Sequence, residues 1–155
     1  MATALNVAKY ILLIADDDDG DLISNLKLQK LLYYCQGFSL AILGRELFSA
    51  KMKAWQHGPV VPEVWQAYRD AGSGQIPPPS DFDANSISVE ERNLINEVYA
   101  VYGQFSASKL RNMTHAEPPW ADTDLNGIIT NAKLVEYFST QVKDDDERDS
   151  EAQER

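Results

Sequence analysis

At 155 residues the chain suits one domain, and with 44% hydrophobic and 25% charged residues it can bury a proper core. Its 24 acidic and 14 basic residues leave a net charge of −10, which argues against a nucleic-acid ligand or an anionic membrane surface. A basic protein partner remains compatible with that field.

Residues 5–15 (LNVAKYILLIA) read as a helix apolar on most faces, hence buried, with Thr3 or Asn6 as its cap. It runs into the acidic loop Asp16–Asp21. The apolar run is short and no cleavage site follows it, so it does not read as a signal peptide. No stretch approaches the ~18 apolar residues of a membrane span. The lone Cys35 gives no disulfide framework, and the cytoplasm is the expected location.

The next helix is expected from about Asn25 to Leu43, capped by Ser24 or Asn25 and stopped at Gly44. Leu28, Leu31, Leu32, Cys35, Phe38 and Ile42 form its apolar stripe, with Lys27 and Lys30 off that stripe. Beyond Gly44 the period changes to two. Phe48, Ala50, Met52 and Ala54 alternate with Ser49, Lys51 and Lys53, which predicts a short strand or hairpin around 46–56. Gly58-Pro59 predicts a turn, and Pro62 a helix start that returns Val64, Trp65 and Tyr68 to the core. Residues 72–86, with three consecutive prolines, read as an exposed loop within one domain.

Ser88 and Glu91 match a capping box, and Leu94, Ile95, Val98, Tyr99, Tyr102 and Phe105 share one face of the helix it opens. Ser106 should cap a short helix through Leu110 and Met113. Residues 114–130 read as irregular around Pro118-Pro119. A final helix carries Leu134, Val135, Phe138 and Val142. The fold class expected is mainly α, a compact helical domain over 1–142 with that one short strand or hairpin, followed by a disordered acidic tail at 143–155.

Chemistry has few footholds. Gly20 placed at position six of a calcium loop puts Ala15 and Leu26 where oxygen ligands belong, so no metal is expected. One cysteine and two distant histidines match no common zinc site. A thiol nucleophile built on Cys35 with His57 or His115 conflicts with the place of Cys35 on an apolar stripe. No catalytic residue and no cofactor is expected, and an enzyme, such as a thiol hydrolase, is the weakest of three readings.

The densest signal is Ala54-Trp-Gln-His-Gly-Pro-Val-Val-Pro-Glu-Val-Trp65. It reads as a folding corner, and also as a surface exposing His57 with part of Trp55 or Trp65, since aromatics anchor interfaces. The second cluster runs from Thr114 to Trp120. There His115 is expected to bond near Glu117, and Trp120 to lie in the core.

Leu26 to Tyr34, Ala54 to Pro62, and Ser108-Lys-Leu through Thr114-His115 to Pro119-Trp120 together resemble the Panacea family of SocA-like antitoxins and phage-associated GepA proteins. The resemblance runs from about Leu5 to Phe138 and rests on all three stretches standing in order. It implies a mainly helical domain that neutralises a toxin encoded beside it, in a bacterium or prophage, by direct protein contact. It also implies, from one branch, an adaptor that hands its toxin to a AAA+ protease. It supplies no catalytic residue. Its structural signature maps here onto Leu28, Lys30, Tyr33, Trp55, Gly58, Pro59, Pro62, His115 and Trp120. Partner contact is expected at Lys51, Lys53, His57 and Trp65, the lysines forming a basic island on an acidic protein. A charged strand edge that prevents aggregation is an equal reading of those lysines.

Overall fold

The computed structural model describes the backbone over 2–17 and 23–154 and the side chains over 2–16 and 23–142. Most of the expected acidic loop, and the tail expected at 143–155, lie outside the fully described residues. Within them the chain is mainly α. In order come α1 (Ala4–Asp17), α2 (Asn25–Phe38), β1 (Lys53–Trp55), β2 (Gly58–Val60), α3 (Pro62–Tyr68), α4 (Val89–Tyr102), α5 (Ala107–His115), α6 (Pro118–Ala121) and α7 (Asn131–Glu154).

Helix α2 is the axis of the molecule. It packs on α1, α3, α4, α5, α7 and β2, and all of its residues except Leu26 are buried. The expected one-sided stripe is therefore too narrow a description. Lys27 and Lys30, read as lying off the stripe, are buried, whereas Ile42 is half exposed. The α-helix also ends earlier than expected. Residues Ser39–Leu43 form a π-helical turn that closes on Gly44 in the left-handed region, φ 71°.

Burying a helix on every side is costly unless its polar side chains find partners. Those of α2 reach the backbone of neighbouring irregular segments. Gln36 donates to the Phe48 carbonyl at 2.8 Å and accepts from the Leu47 amide at 2.9 Å. Gln29 accepts from the Val61 amide at 2.8 Å, and Asn25 donates to the Trp65 carbonyl at 3.2 Å. Lys27 Nζ donates to the Gly103 carbonyl at 2.7 Å. A segment with little secondary structure of its own, 44–61, is held in this way by side chains of the central helix.

The caps follow the sequence. Ser24 accepts from the Lys27 amide, Ser106 accepts from the Lys109 amide, and Ser88 with Glu91 makes a complete capping box. At the other end of the core, Tyr33, Tyr34, Phe38 and Phe138 pack edge to face, and Tyr34 stacks on Tyr102 at 3.9 Å. Gly37 lets α7 approach there, since a Cβ on it would lie 2.2 Å from the Phe138 ring.

The hairpin is shifted along the chain from where alternation placed it. Residues 48–52 keep the alternation, with Phe48 and Met52 buried and Ser49 and Lys51 exposed, but they pair with no strand, and Leu47 breaks the pattern by being buried beside Phe48. β1 and β2 pair antiparallel with Lys53 opposite Val60 and Trp55 opposite Gly58, so the turn falls on Gln56-His57. Gly58-Pro59 lies in the second strand, not in the turn. Residues 126–129 run along the other edge of β1. There the Ala54 amide donates to Gly127, the Asn126 amide to Ala54, and the Ile129 amide to Met52. The stretch expected to be irregular around Pro118-Pro119 contains α6, with proline at its first positions.

Candidate functional site

Three segments far apart in sequence meet at one corner of the fold, where the hairpin lies across the middle of α2 and the end of α5. Lys30 Nζ, from α2, donates to the Pro59 carbonyl at 2.9 Å. Gly58 sits directly above it with φ 114°. A Cβ there would lie 2.6 Å from Lys30 Cε and 3.0 Å from Thr114 Oγ1, so only glycine fits. Trp120 Nε1, from α6, donates to the Trp55 carbonyl at 2.8 Å, and the indole stacks on His115 at 4.0 Å. Trp55 in turn packs edge-on against Trp65 at 6.1 Å, and its Nε1 donates to Asn126 Oδ1 at 3.3 Å. Asn126 takes the left-handed conformation to do so, φ 66°.

Below the corner lies a buried acid. The Glu117 carboxylate does not meet His115, as the sequence led us to expect. It accepts from the Tyr33 hydroxyl at 2.9 Å and from the Tyr34 hydroxyl at 2.8 Å. Burial pushes its pKa up, while hydrogen bonds from Tyr34, Tyr33 and Tyr137 pull it back down. The same burial, with the facing carboxylate, raises all three phenols above their ordinary value.

The upper part of the corner is cationic. Lys30 is 1% exposed, and its pKa falls to about 7, first through burial and then through repulsion by Arg111. Arg111 and His115 stand four residues apart on α5, so they share one face of the helix. The His115 pKa is lowered by burial and then by Arg111. A hydrogen bond to the Gln56 backbone opposes this, and Lys30 and His57 add weaker repulsion. Arg111 Nε and His115 Nε2 are buried without a hydrogen-bond partner.

The expected contact residues divide. His57 is exposed in the hairpin turn beside this cluster, and Trp65 is half-buried against Trp55. Lys51 is exposed and Lys53 half-buried, and among the described residues no side-chain hydrogen bond or ion pair ties either to the corner, although the Lys53 backbone pairs with Val60 in the hairpin. Trp120, expected in the core, is only partly buried. Cys35 is buried and its thiol is pushed up by that burial, which suppresses the thiolate a nucleophile needs. Among the described residues, no three His, Cys, Asp or Glu side chains converge as a metal site would require. No helix among them is long and apolar enough to cross a membrane.

Arg111 and Gln29 are the members of the corner that the sequence did not single out. Their signals were present but local: a glutamine within an apolar helix, and an arginine one turn before a histidine. A second surface feature is an open apolar groove between the end of α2 and α4. Phe38, Leu94, Val98 and Tyr102 line it, with Ile42 and Val101 each half exposed at its rim.

Residues 28–121 match the family described as antitoxin SocA-like, Panacea domain. The chain belongs to that family. Over 130 residues it is 35% identical to the antitoxin SocA of Caulobacter vibrioides (strain NA1000 / CB15N), covering 72% of this chain and 65% of that relative. The similarity thus spans just under two thirds of the relative's length. No solved structure matches this chain. The family match begins at Leu28 and ends at Ala121, next to Trp120, so it encloses Lys30, Gly58, Pro59, His115 and Trp120 of the corner, while Asn126 lies beyond it.

Proposed function

We propose that this chain is an antitoxin that neutralises a toxin encoded beside it by direct protein contact, without catalysing a reaction. The observation that carries the reading is the convergence of the three family-bearing segments on one rigid corner. Its side chains hold backbone in place: Lys30 grips Pro59, Gln29 grips Val61 and Trp120 grips Trp55. A surface braced in this way loses little conformational entropy on binding, which favours tight recognition. His57 in the turn, and the Trp55–Trp65 pair behind it, are the side chains we assign to first contact. Covering the toxin's active or substrate-binding surface is the mode of neutralisation.

Co-expression with the neighbouring reading frame tests this. That neighbour should stop growth alone, growth should return when this chain is present, and the two should co-purify. A neighbour harmless by itself, or one still toxic beside this chain, ends the proposal. Following the neighbour's half-life in the same cells tells inhibition from delivery to a AAA+ protease. Binding alone leaves the half-life unchanged, whereas an adaptor shortens it.

A further inference from the structure

We propose that Lys30, His57, Arg111 and His115 form a binding site for a single carboxylate, supplied by an acidic side chain of the protein partner. Four cationic or protonatable groups meet here on a chain whose net charge is −10: Lys30 lies beneath Gly58 and Pro59 beside Thr114, His57 precedes Gly58 in the turn, and Arg111 and His115 stand on the same helix as Thr114. Among the described residues no carboxylate pairs with any of them. The nearest acid in sequence, Glu117, is turned away and engaged by Tyr33 and Tyr34. Assembling like charges without a counter-ion is unfavourable, and it is relieved when an anion arrives.

The hydrogen-bonding capacity left over has a matching form. Arg111 Nε is buried without an acceptor, and His115 Nε2 is buried without a partner. The Gln56 backbone favours the protonated His115 ring, in which Nε2 is a donor. Both nitrogens are closed to solvent in the unbound chain, so an anion engages them as the Arg111 and His115 side chains turn outward. Standing one helical turn apart on α5, the two can then meet the oxygens of one carboxylate, with the guanidinium supplying the planar geometry such a group prefers. Lys30 cannot swing out to meet the anion, because Gly58 and the Pro59 carbonyl hold it, so it contributes charge from below. His57 is exposed in the adjoining hairpin turn. An extended polyanion such as nucleic acid is disfavoured, since the acidic remainder of the surface would repel its other phosphates.

The choice of carrier rests on the antitoxin reading, but the site itself can be tested without a partner. Sodium acetate is titrated into the full chain at constant ionic strength, with sodium chloride and sodium phosphate as parallel series. The readout is the NMR signals of the Arg111 Nε–H and the His115 ring. Acetate should shift both saturably and raise the His115 pKa, and chloride should not. Arg111→Gln should weaken acetate binding by about tenfold or more. His57→Gln, at an exposed position, should weaken it a few-fold and guards against a fold defect in the first variant. A non-saturable acetate response, an affinity unchanged in both variants, or saturation by phosphate where acetate fails would overturn the proposal. If acetate binds but the native chain does not rescue cells from its neighbour, the anion site stands and the antitoxin reading falls. If the native chain rescues and Arg111→Gln does not while remaining folded, the carboxylate belongs to the toxin.

Discussion

Lys30 shows how much one residue departs from its surface default. A lysine on a helix usually extends its ammonium to water, but here the ammonium is pinned beneath a hairpin. Its folded pKa of about 7 lies below the ordinary 10.5, so between those values the unfolded chain binds more protons than the folded one. The energetic penalty of burial is therefore largest below pH 7 and fades as pH rises through that window. Lys30→Met keeps most of the stem and removes the charge. Urea unfolding at pH 7, 8 and 9 should show the native chain gaining on the variant by on the order of 1 kcal/mol per pH unit. Parallel stability curves would mean that the ammonium reaches water. Glu117 has the opposite sign. Its pKa is raised, so its contribution is full at acidic pH and declines as pH rises above the ordinary carboxylate range.

At the scale of elements, the hairpin is the part that glycine makes possible. Gly58 and Gly44 both have positive φ, but a Cβ on Gly44 meets nothing within 4 Å, whereas one on Gly58 meets Lys30 and Thr114. Gly44→Ala should cost about 1 kcal/mol from backbone strain alone. Gly58→Ala should cost about 3 kcal/mol or more, because strain adds to displacement of a buried, hydrogen-bonded ammonium. Equal losses in chemical denaturation would show that Lys30 yields freely. The same contrast explains what the sequence could convey. Ser24, Ser88 and Ser106 announced their helices because a cap bonds within three residues of itself. The alternation of Phe48, Met52 and Ala54 announced extended chain, but the partner strand is fixed by contacts to α2 and to 126–129, and no local period encodes those. The stripe from Leu28 to Phe38 was right as far as it went. Periodicity finds one buried face, and a helix buried on every side reveals the rest only through polar partners such as Gln36 and Lys30. In the corner, Trp55, Gly58, His115 and Trp120 were legible as a dense pattern of bulky and breaking residues. Arg111 was not, since an arginine on a short polar helix looks like solvent-facing charge.

Across the whole molecule two electrostatic scales are superimposed, and they should act on different rate constants. The net charge of −10 sets a long-range field that attracts a basic partner and is screened within roughly 8–10 Å at physiological salt. The Lys30–Arg111–His115 cluster is a short-range feature of opposite sign, with Lys30 buried and Arg111 and His115 partly so, and is less affected by salt than the exposed surface charge. A basic toxin carrying one correctly placed acid would be drawn by the first and registered by the second, while a uniformly basic protein would meet repulsion at the corner. Such local opposition within global attraction is a way to secure specificity without added area. Surface-based kinetics with the purified neighbour can separate the two. Raising salt from 50 to 300 mM should slow association of the native chain severalfold and change dissociation little. Arg111→Gln should speed dissociation by about tenfold or more, and its association should keep nearly the native salt slope, since one charge in a field of this size matters little. If Arg111→Gln instead flattened the salt slope and left dissociation unchanged, the corner would be part of the steering field. The register of the complex would then have to be set elsewhere, with the apolar groove rimmed by Ile42 and Val101 as the surface to mutate next.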